Sequence, residues 1–213
     1  MASLDTIVHN HGLQADAATK ANYETNPVRL DMEEAAGFAG LDVNIEGILN
    51  LWGDTVELFA GELKKSHDKG IQAAVSHYLT PRAKNKDIVI ANTYAKVGEA
   101  ITGLNAAFPS IKAEGGDVVL ICNAPMGQSH HYILGPCGRT TKSMRSIKAS
   151  IPANINHLIV FTEYPDIAGL AYIEESPKLM MLTKWDDVLS VLKKSHGDKA
   201  DVAVYPNADI ARF

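Results

Sequence analysis

The stretch KDIVIANTYAKVGEAITGLNAAFPSIKAEGGDVVLICNAP, residues 86–125, decides the fold of this chain. It contains two short apolar runs, residues 88–91 and 118–122, each entered by charged or turn-forming residues, which is typical of strands buried on two faces. Between the runs, apolar residues recur at helical spacing until Pro109 ends the pattern. These residues are Val97, Ile101, Leu104 and Phe108. The stretch therefore predicts a β-α-β crossover with two parallel strands and a right-handed connection.

The segments before this unit predict a helix, a hairpin and a second helix. Asn26-Pro27 is typical of a helix start, and an apolar pattern of Leu30, Ala35, Phe38 and Ala39 runs from it to Gly40. Apolar and polar residues then alternate on both sides of Gly53-Asp54, which predicts a β-hairpin with one face in water. Residues 62–78 have an apolar stripe opposed by charges and predict a second helix, with its lysines on a solvated face.

The segments after the unit complete an α/β pattern. Residues 157–161 predict a third buried strand, and Thr183 to Asp186 matches a capping box that opens a helix running to Gly197. Residues 201–205 predict the last strand, whereas residues 140–149 favour a helix only weakly. We therefore predict an α/β fold: a three-layer, Rossmann-like, mainly parallel sheet with an added N-terminal helix and β-hairpin.

Composition excludes several classes of function. The chain has 213 residues, of which 46% are hydrophobic and 21% charged, as in ordinary soluble domains. A formal net charge of −5 without a long Lys/Arg cluster argues against a nucleic-acid partner. No apolar run approaches the roughly 20 residues of a membrane helix, and the first residues lack the features of a signal peptide. With only two cysteines, Cys122 and Cys137, and no CxxC, we expect a reducing, cytoplasmic setting.

The candidate site lies where the two central strands end. Ligands of parallel sheets bind outside the carboxyl ends of the strands, here residues 92–96 and 123–131. Because neighbouring strands are only about 4.8 Å apart, the side chains that follow them are expected to face one another. The predicted substrate-binding residues are Asn92, Tyr94, Lys96, Glu99, Thr102, His130, His131 and Arg139. The alternative interpretation of His130 and His131 is that they are loop histidines without a role in binding. Two consecutive rings point apart in most conformations, so at most one of them is expected to face a site.

Two other motifs have a functional and a structural interpretation. His9 and His11 form an HxH, a spacing that presents both imidazoles to one metal ion only in an extended chain. Exposed surface histidines are the alternative interpretation. Cys137 lies between glycines and close to Arg139, which would favour a thiolate, but a nucleophile also needs a positioned base. An inert thiol in a turn is the simpler interpretation.

Several stretches resemble, in order, the carboxyl-terminal part of the nickel-pincer lactate racemase family. They are LDTIVHNH at residues 4–11, TNPVRLDMEEAAGFAGLDVNIEGILN at 25–50, ELFAGELKKSHDKGIQAA at 57–74, DIVIAN at 87–92 and ITGLNAAFPSIKAEGGDVVLI at 101–121. The final strand, ADVAVYPNAD, fits as well. The resemblance covers nearly the whole chain, and NPVRLDMEEAA followed by FAG is its most specific part.

The resemblance implies a two-domain enzyme. A nickel-pincer nucleotide, tethered to a lysine, takes hydride from a 2-hydroxy acid and returns it on either face. By the family's Asn-His motif, His11 is the nickel ligand, whereas His9 has no counterpart. The catalytic histidines and the cofactor-bearing lysine of the family belong to its N-terminal domain. The resemblance therefore implies that residues 1–25 are a connector from that domain and that residues 26–213 form one C-terminal α/β domain, with no catalytic residue of its own.

The chain also departs from the family where the substrate carboxylate is held. The racemases open the crossover helix with a Tyr-Gln-x-x-Lys-Gly run, but this chain has Gly98, Glu99 and Thr102 before Gly103. No tryptophan occurs between Trp52 and Trp185, so the one that covers the pincer in the family has no counterpart. A carboxylate at Glu99 would repel a substrate carboxylate. These differences predict a substrate other than lactate, such as a larger hydroxy acid or polyol acid.

Two hypotheses follow from the sequence. The first is the C-terminal domain of a nickel-pincer 2-hydroxy-acid racemase or epimerase homologue, which lines the substrate cleft, needs the N-terminal domain of the same protein as its partner, and is inactive alone. The second is a non-catalytic α/β module that binds a small molecule. An upstream domain bearing lysine and histidine would favour the first hypothesis.

Overall fold

The computed structural model describes residues 3–13, 22–128, 148–165 and 173–213. These residues form two compact units. The first contains the described residues of Met1–Asn50 and Thr55–Ala74, and the second contains those of Leu51–Asp54, Val75–His130 and Lys148–Phe213. The domain boundaries expected from the sequence, a connector over residues 1–25 and one domain over 26–213, stay a prediction.

Helices and a two-stranded sheet make up the first unit. Its elements are α1 (Leu4–Gly12), α2 (Pro27–Ala39), β1 (Asn44–Leu49), β2 (Thr55–Gly61) and the first part of α3 (Leu63–Tyr78). The predicted start of α2 is confirmed, because the Asn26 side chain accepts hydrogen bonds from the backbone N–H groups of Val28 and Arg29. Gly40, with φ at 65°, ends the helix as predicted. β1 and β2 pair antiparallel, as the hairpin pattern predicts.

A five-stranded sheet forms the centre of the second unit. Its strands are β3 (Ile88–Asn92), β4 (Gly116–Ile121), β5 (Ile155–Phe161), β6 (Leu179–Leu182) and β7 (Val202–Tyr205). They lie in the order β6-β5-β4-β3-β7, and every neighbouring pair is parallel. The predicted Rossmann-like α/β fold and the parallel pairing of the two central strands are therefore confirmed.

The sheet is buried on both faces. Val118 and Leu120 of β4 belong to the apolar cluster that contains Leu104 of the crossover, and Val119 belongs to the cluster of Val188. Val188 lies on the last helix, α5 (Trp185–His196). Because successive residues of a strand point to opposite faces, the crossover and α5 cover opposite sides of the sheet. This is the three-layer arrangement that the continuous apolar strands indicate.

The connection between β3 and β4 differs from the regular α-helix that its apolar stripe predicts. It consists of a 3-10 helix (Val97–Gly103), one α-helical turn, α4 (Leu104–Ala107), and a second 3-10 turn (Phe108–Ser110). Glu99 interrupts the first segment with a non-helical conformation, φ −127° and ψ 43°. The tight winding brings Gly103 close to β3, where an added Cβ would lie 2.7 Å from the Thr93 methyl group.

Other predicted elements have mixed outcomes. α1 occupies part of the segment expected to be a connector, and β6 has no counterpart among the predicted strands. α5 ends at Gly197 as predicted, but its N-cap is Lys184 and no side chain caps it, in contrast to the predicted capping box. The loop predicted over residues 127–138 and the helix predicted over 140–149 lie almost entirely outside the described residues.

Candidate functional site at the carboxyl edge of the sheet

The strand order places a topological switch point between β3 and β7. From β3 the chain proceeds through β4, β5 and β6 to one side, and then returns to place β7 on the other side of β3. α/β proteins bind ligands outside the carboxyl ends of their strands at the point where the strand order reverses. The candidate site therefore involves the residues after β7 as well as those after β3.

The segments after β3 and β7 are joined by hydrogen bonds. The Asn92 side-chain amide donates to the carbonyl oxygen of Pro206 at 2.8 Å, and the Ala208 N–H donates to the Asn92 carbonyl, also at 2.8 Å. The Lys96 backbone N–H donates to a carboxylate oxygen of Asp209. These bonds fix the backbone of residues 92–96 against the chain that follows β7.

Gln128, in the segment after β4, holds the interrupted turn of the 3-10 helix. Its side-chain oxygen accepts from the Ala100 N–H at 3.0 Å, and its side-chain nitrogen donates to the Val97 carbonyl at 2.8 Å. The non-helical conformation of Glu99 interrupts the regular backbone hydrogen bonds of the helix. The Gln128 side chain compensates for this loss, because its amide supplies both an acceptor and a donor. Gln128 thus links the loop after β4 to the turn that carries Glu99.

The structure brings together five of the predicted substrate-binding residues along the β3 loop and the crossover. Tyr94, Lys96 and Glu99 are exposed, and Tyr94 packs edge-on against Trp52 with ring centroids 6.0 Å apart. The amide of Asn92 is engaged by Pro206, and the Thr102 hydroxyl donates to the Glu99 carbonyl at 2.9 Å. His130, His131 and Arg139, like Cys137, lie outside the described residues. Their predicted place opposite the β3 loop stays a prediction.

Sequence reasoning missed Asn207 and Asp209. Both amide atoms of Asn207 and one carboxylate oxygen of Asp209 are buried without a hydrogen-bond partner. Buried polar groups are normally paired, so three such atoms within three residues mark an unusual part of the fold. Asn207 also lines a cavity in the second unit together with His77, Tyr78 and Ile210. The available signal was the polar Pro-Asn-Ala-Asp run directly after a strand, which is the place where a switch point puts ligand contacts.

The amino edge of the same sheet is charged but has a structural role. Asp117, fully buried at the start of β4, accepts hydrogen bonds from His157 Nδ1 at 2.9 Å and from His196 Nε2 at 3.0 Å. Asp87 is held by the backbone N–H of Asp201 and by the ammonium of Lys112. The first of these contacts is the main cause that lowers the pKa of Asp87, and the second adds to it. All of these groups have partners, so they connect strands and leave nothing to present to a ligand.

The described residues do not complete a metal site. They contain no group of three His, Cys, Asp or Glu side chains placed to hold a metal ion. His9 and His11 both lie in α1, so the backbone there is helical and not extended as the HxH interpretation requires.

Comparison with solved structures reveals a likeness over the whole chain. The chain is similar to the lactate racemase apoprotein from Thermoanaerobacterium thermosaccharolyticum. The TM-score is 0.66 and the sequence identity 18%, and the match covers 100% of this chain and 56% of the racemase chain. The chain thus spans little more than half of that protein. No protein-family model matches the chain, and no curated protein matches it.

A likeness at this identity establishes the fold. The racemase shares the α/β architecture over the whole length of this chain, which agrees with the resemblance seen in the sequence. Among the described residues, no helix is long and apolar enough to cross a membrane.

Proposed function

We propose that this chain is the C-terminal part of a nickel-pincer-dependent 2-hydroxy-acid racemase or epimerase homologue, and that it lines the substrate cleft. The observation that carries the proposal is the likeness of the whole chain to 56% of a lactate racemase chain, combined with the sequence resemblance to the same family. The rest of the racemase has no counterpart here. We therefore propose that a further N-terminal domain of the same protein is the partner, that the chain is inactive without it, and that the protein is cytoplasmic.

The exposed residues of the switch point would bind the substrate. The ammonium of Lys96 offers an attraction to a carboxylate, whereas the carboxylate of Glu99 opposes one and accepts hydrogen bonds from hydroxyl groups. The family pattern has an amide side chain at the position of Glu99 and an ammonium at the position of Thr102. This chain has neither group at these positions. A substrate with several hydroxyl groups, such as a polyol acid, suits this set better than lactate does. When bound, the pincer would supply hydride transfer, and this chain would supply orientation and charge.

The substrate proposal is tested with the full-length protein loaded with nickel and a panel of 2-hydroxy acids. We expect a polyol acid or another larger hydroxy acid to exceed lactate in kcat/KM. Glu99→Gln should improve lactate turnover by roughly tenfold or more, because a repulsion on the order of 1–3 kcal/mol disappears. Gln72→Glu, on the exposed side of α3, serves as a surface-charge control. Lactate as the best substrate, indifferent to Glu99→Gln, would refute the proposed contact.

The nickel proposal concerns His11. One imidazole gives weak affinity and no defined geometry, so His11 contributes to a nickel site only when the remaining ligands are present. We expect calorimetry to show equal, weak nickel binding by the 213-residue chain and its His11→Ala variant. In the full-length protein, His11→Ala should lower the nickel affinity at least tenfold, and His9→Ala should not. Micromolar binding by the isolated chain that disappears in His11→Ala would show a local site instead.

The competing function is a non-catalytic module that binds a small molecule. One observation favours it: the loops after β3 and β7 are joined by hydrogen bonds within the second unit itself, so this edge is formed without another domain. A module of this kind would bind its ligand as the isolated chain and leave it chemically unchanged. The full-length assay separates the two functions, because only the racemase homologue interconverts stereoisomers.

A further inference from the structure

The hairpin of the first unit has two chemically different faces. Residues that pair directly across an antiparallel sheet share a face, and the register pairs Glu46 with Phe59 and Gly47 with Leu58. By alternation, one face carries the polar Asn44 and Glu46 together with the apolar Ile48 and Phe59. The other face, which we call the hairpin face, carries only uncharged residues. Its members are Ile45, Gly47, Leu49, Thr55, Val56, Leu58 and Ala60.

The face that carries Asn44 and Glu46 is covered by α3. The Asn44 amide donates to the Ser66 hydroxyl at 3.0 Å, and Glu46 pairs with His67 Nδ1 at 2.5 Å. Gly70 allows this close approach, because a Cβ at that position would lie 2.8 Å from a Glu46 carboxylate oxygen. Ile48, on the same face, is only 6% exposed, so this side of the hairpin is buried.

The hairpin face, in contrast, is bare. Ile45 is 66% exposed, Leu58 67%, Val56 48% and Leu49 44%. A sheet with one face in water normally places its apolar residues against the core and its polar residues outside. Here the face in water is apolar as well. Contiguous exposed apolar surface of this kind marks an interaction site.

We propose that the hairpin face packs against an apolar layer of the N-terminal domain of the same full-length protein. This inference rests on the proposed function and names the surface through which the partner domain binds. The supporting observation is that the match with lactate racemase leaves the remainder of that chain without a counterpart here. The absence of charge on the face requires an apolar occupant, since a charged one would be desolvated without compensation.

The small size of the face argues for an occupant in the same polypeptide. A stable interface between separate chains buries about 800 Å² on each partner, which is more than a few side chains of a two-stranded sheet provide. Packing within one chain loses far less translational and rotational freedom, so a smaller apolar surface suffices. A second copy of this chain is therefore the less suitable occupant.

Hydroxyl-radical footprinting compares the face in the 213-residue chain and in the full-length protein. We expect Ile45 and Leu58 to be oxidised at least fivefold more slowly in the full-length protein. Met126, which is 96% exposed in the second unit, should be oxidised equally in both and serves as the internal reference. Equal oxidation of Ile45 and Leu58 in the two proteins would overturn the proposal.

A charge on the face provides the second test. Leu58→Lys should leave the thermal midpoint of the 213-residue chain unchanged and should raise Ile45 oxidation in the full-length protein towards the isolated-chain rate. Val204→Lys, at an exposed position on the edge strand β7, is the matched control and should leave Ile45 protected. Protection of Ile45 that survives Leu58→Lys would contradict the proposed packing.

Sedimentation of the isolated chain tests the second-copy alternative. We expect the 213-residue chain to remain monomeric at the concentrations used for footprinting. A dimer that Leu58→Lys dissociates would overturn the proposal. Neither measurement uses substrate, so a failed substrate panel with a protected hairpin face would refute the proposed function and leave the proposed surface standing.

Discussion

At the scale of single residues, the carboxylates at the amino edge of the sheet show how a charged side chain can serve the fold. Asp87 directly precedes β3 and accepts the Asp201 N–H and the Lys112 ammonium. In the sequence, Lys86-Asp87 and Gly116-Asp117 mark only the starts of strands. The partners of these carboxylates come from residues 25 to 114 positions away, so no local pattern predicts them.

Asp87 gives the unfolding free energy a pH dependence with a defined sign. Its contacts lower its pKa in the folded state, so they stabilise the fold above the pKa of the unfolded chain, and this stabilisation is lost as the pH falls through the folded value. We expect Asp87→Asn to be less stable than the parent at pH 7, with the difference shrinking between about pH 4 and pH 2. Urea denaturation across this range measures the effect.

The control for this prediction is Asp198→Asn, at an exposed position just beyond α5. Its stability should follow that of the parent chain at every pH. A difference between Asp87→Asn and the parent that stays constant down to pH 2 would show that the ionised carboxylate is not the stabilising form.

At the scale of elements, the turn from Val97 to Ala100 connects the fold to the candidate site. Gln128 bonds to both ends of this turn, and Glu99 stands between them. We expect Gln128→Glu to keep the acceptor for the Ala100 N–H but to lose the donor to the Val97 carbonyl. It should therefore destabilise the chain by about 1–3 kcal/mol at pH 7. Repulsion between the new carboxylate and the Val97 carbonyl oxygen should loosen the turn, so hydrogen exchange at the Ala100 amide should accelerate more than exchange in β4.

Protonation supplies an internal check on this prediction. A glutamic acid can donate again, so the loss in Gln128→Glu should diminish below about pH 4. Gln72→Glu, on an exposed position of α3, should change neither quantity. If exchange at Ala100 is the same in Gln128→Glu as in the parent, Gln128 does not hold the turn.

The sequence predicts the elements with strong local signals. β3, β4 and β5 are continuous apolar runs, and α2 is bounded by Asn26 and Gly40, so their positions follow from local physics. The 3-10 winding of the crossover does not follow, because the contacts of Gly103 with Thr93 that favour it are tertiary. The position of β7 beside β3 also depends on tertiary contacts. Asn207 and Asp209 are therefore not among the site residues predicted from the sequence, whereas Tyr94, Lys96 and Glu99 are.

At the scale of the whole molecule, the chain consists of two compact units with different features. The second unit contains the switch point and its exposed polar residues. The first contains a hairpin with one face covered by α3 and an exposed apolar face. Under the proposed function, this chain alone binds a ligand weakly and performs no chemistry, because the proposed N-terminal domain supplies the catalytic groups.

The proposed binding edge is tested most directly by a backbone NMR titration of the ¹⁵N-labelled 213-residue chain with a polyol acid, with lactate as the comparison. We expect the polyol acid to shift amide signals at residues 92–103 and 207–209 more strongly than lactate does, and we expect both acids to remain unchanged in the sample. Shifts confined to other parts of the chain, or racemisation of either acid by the chain alone, would contradict this expectation.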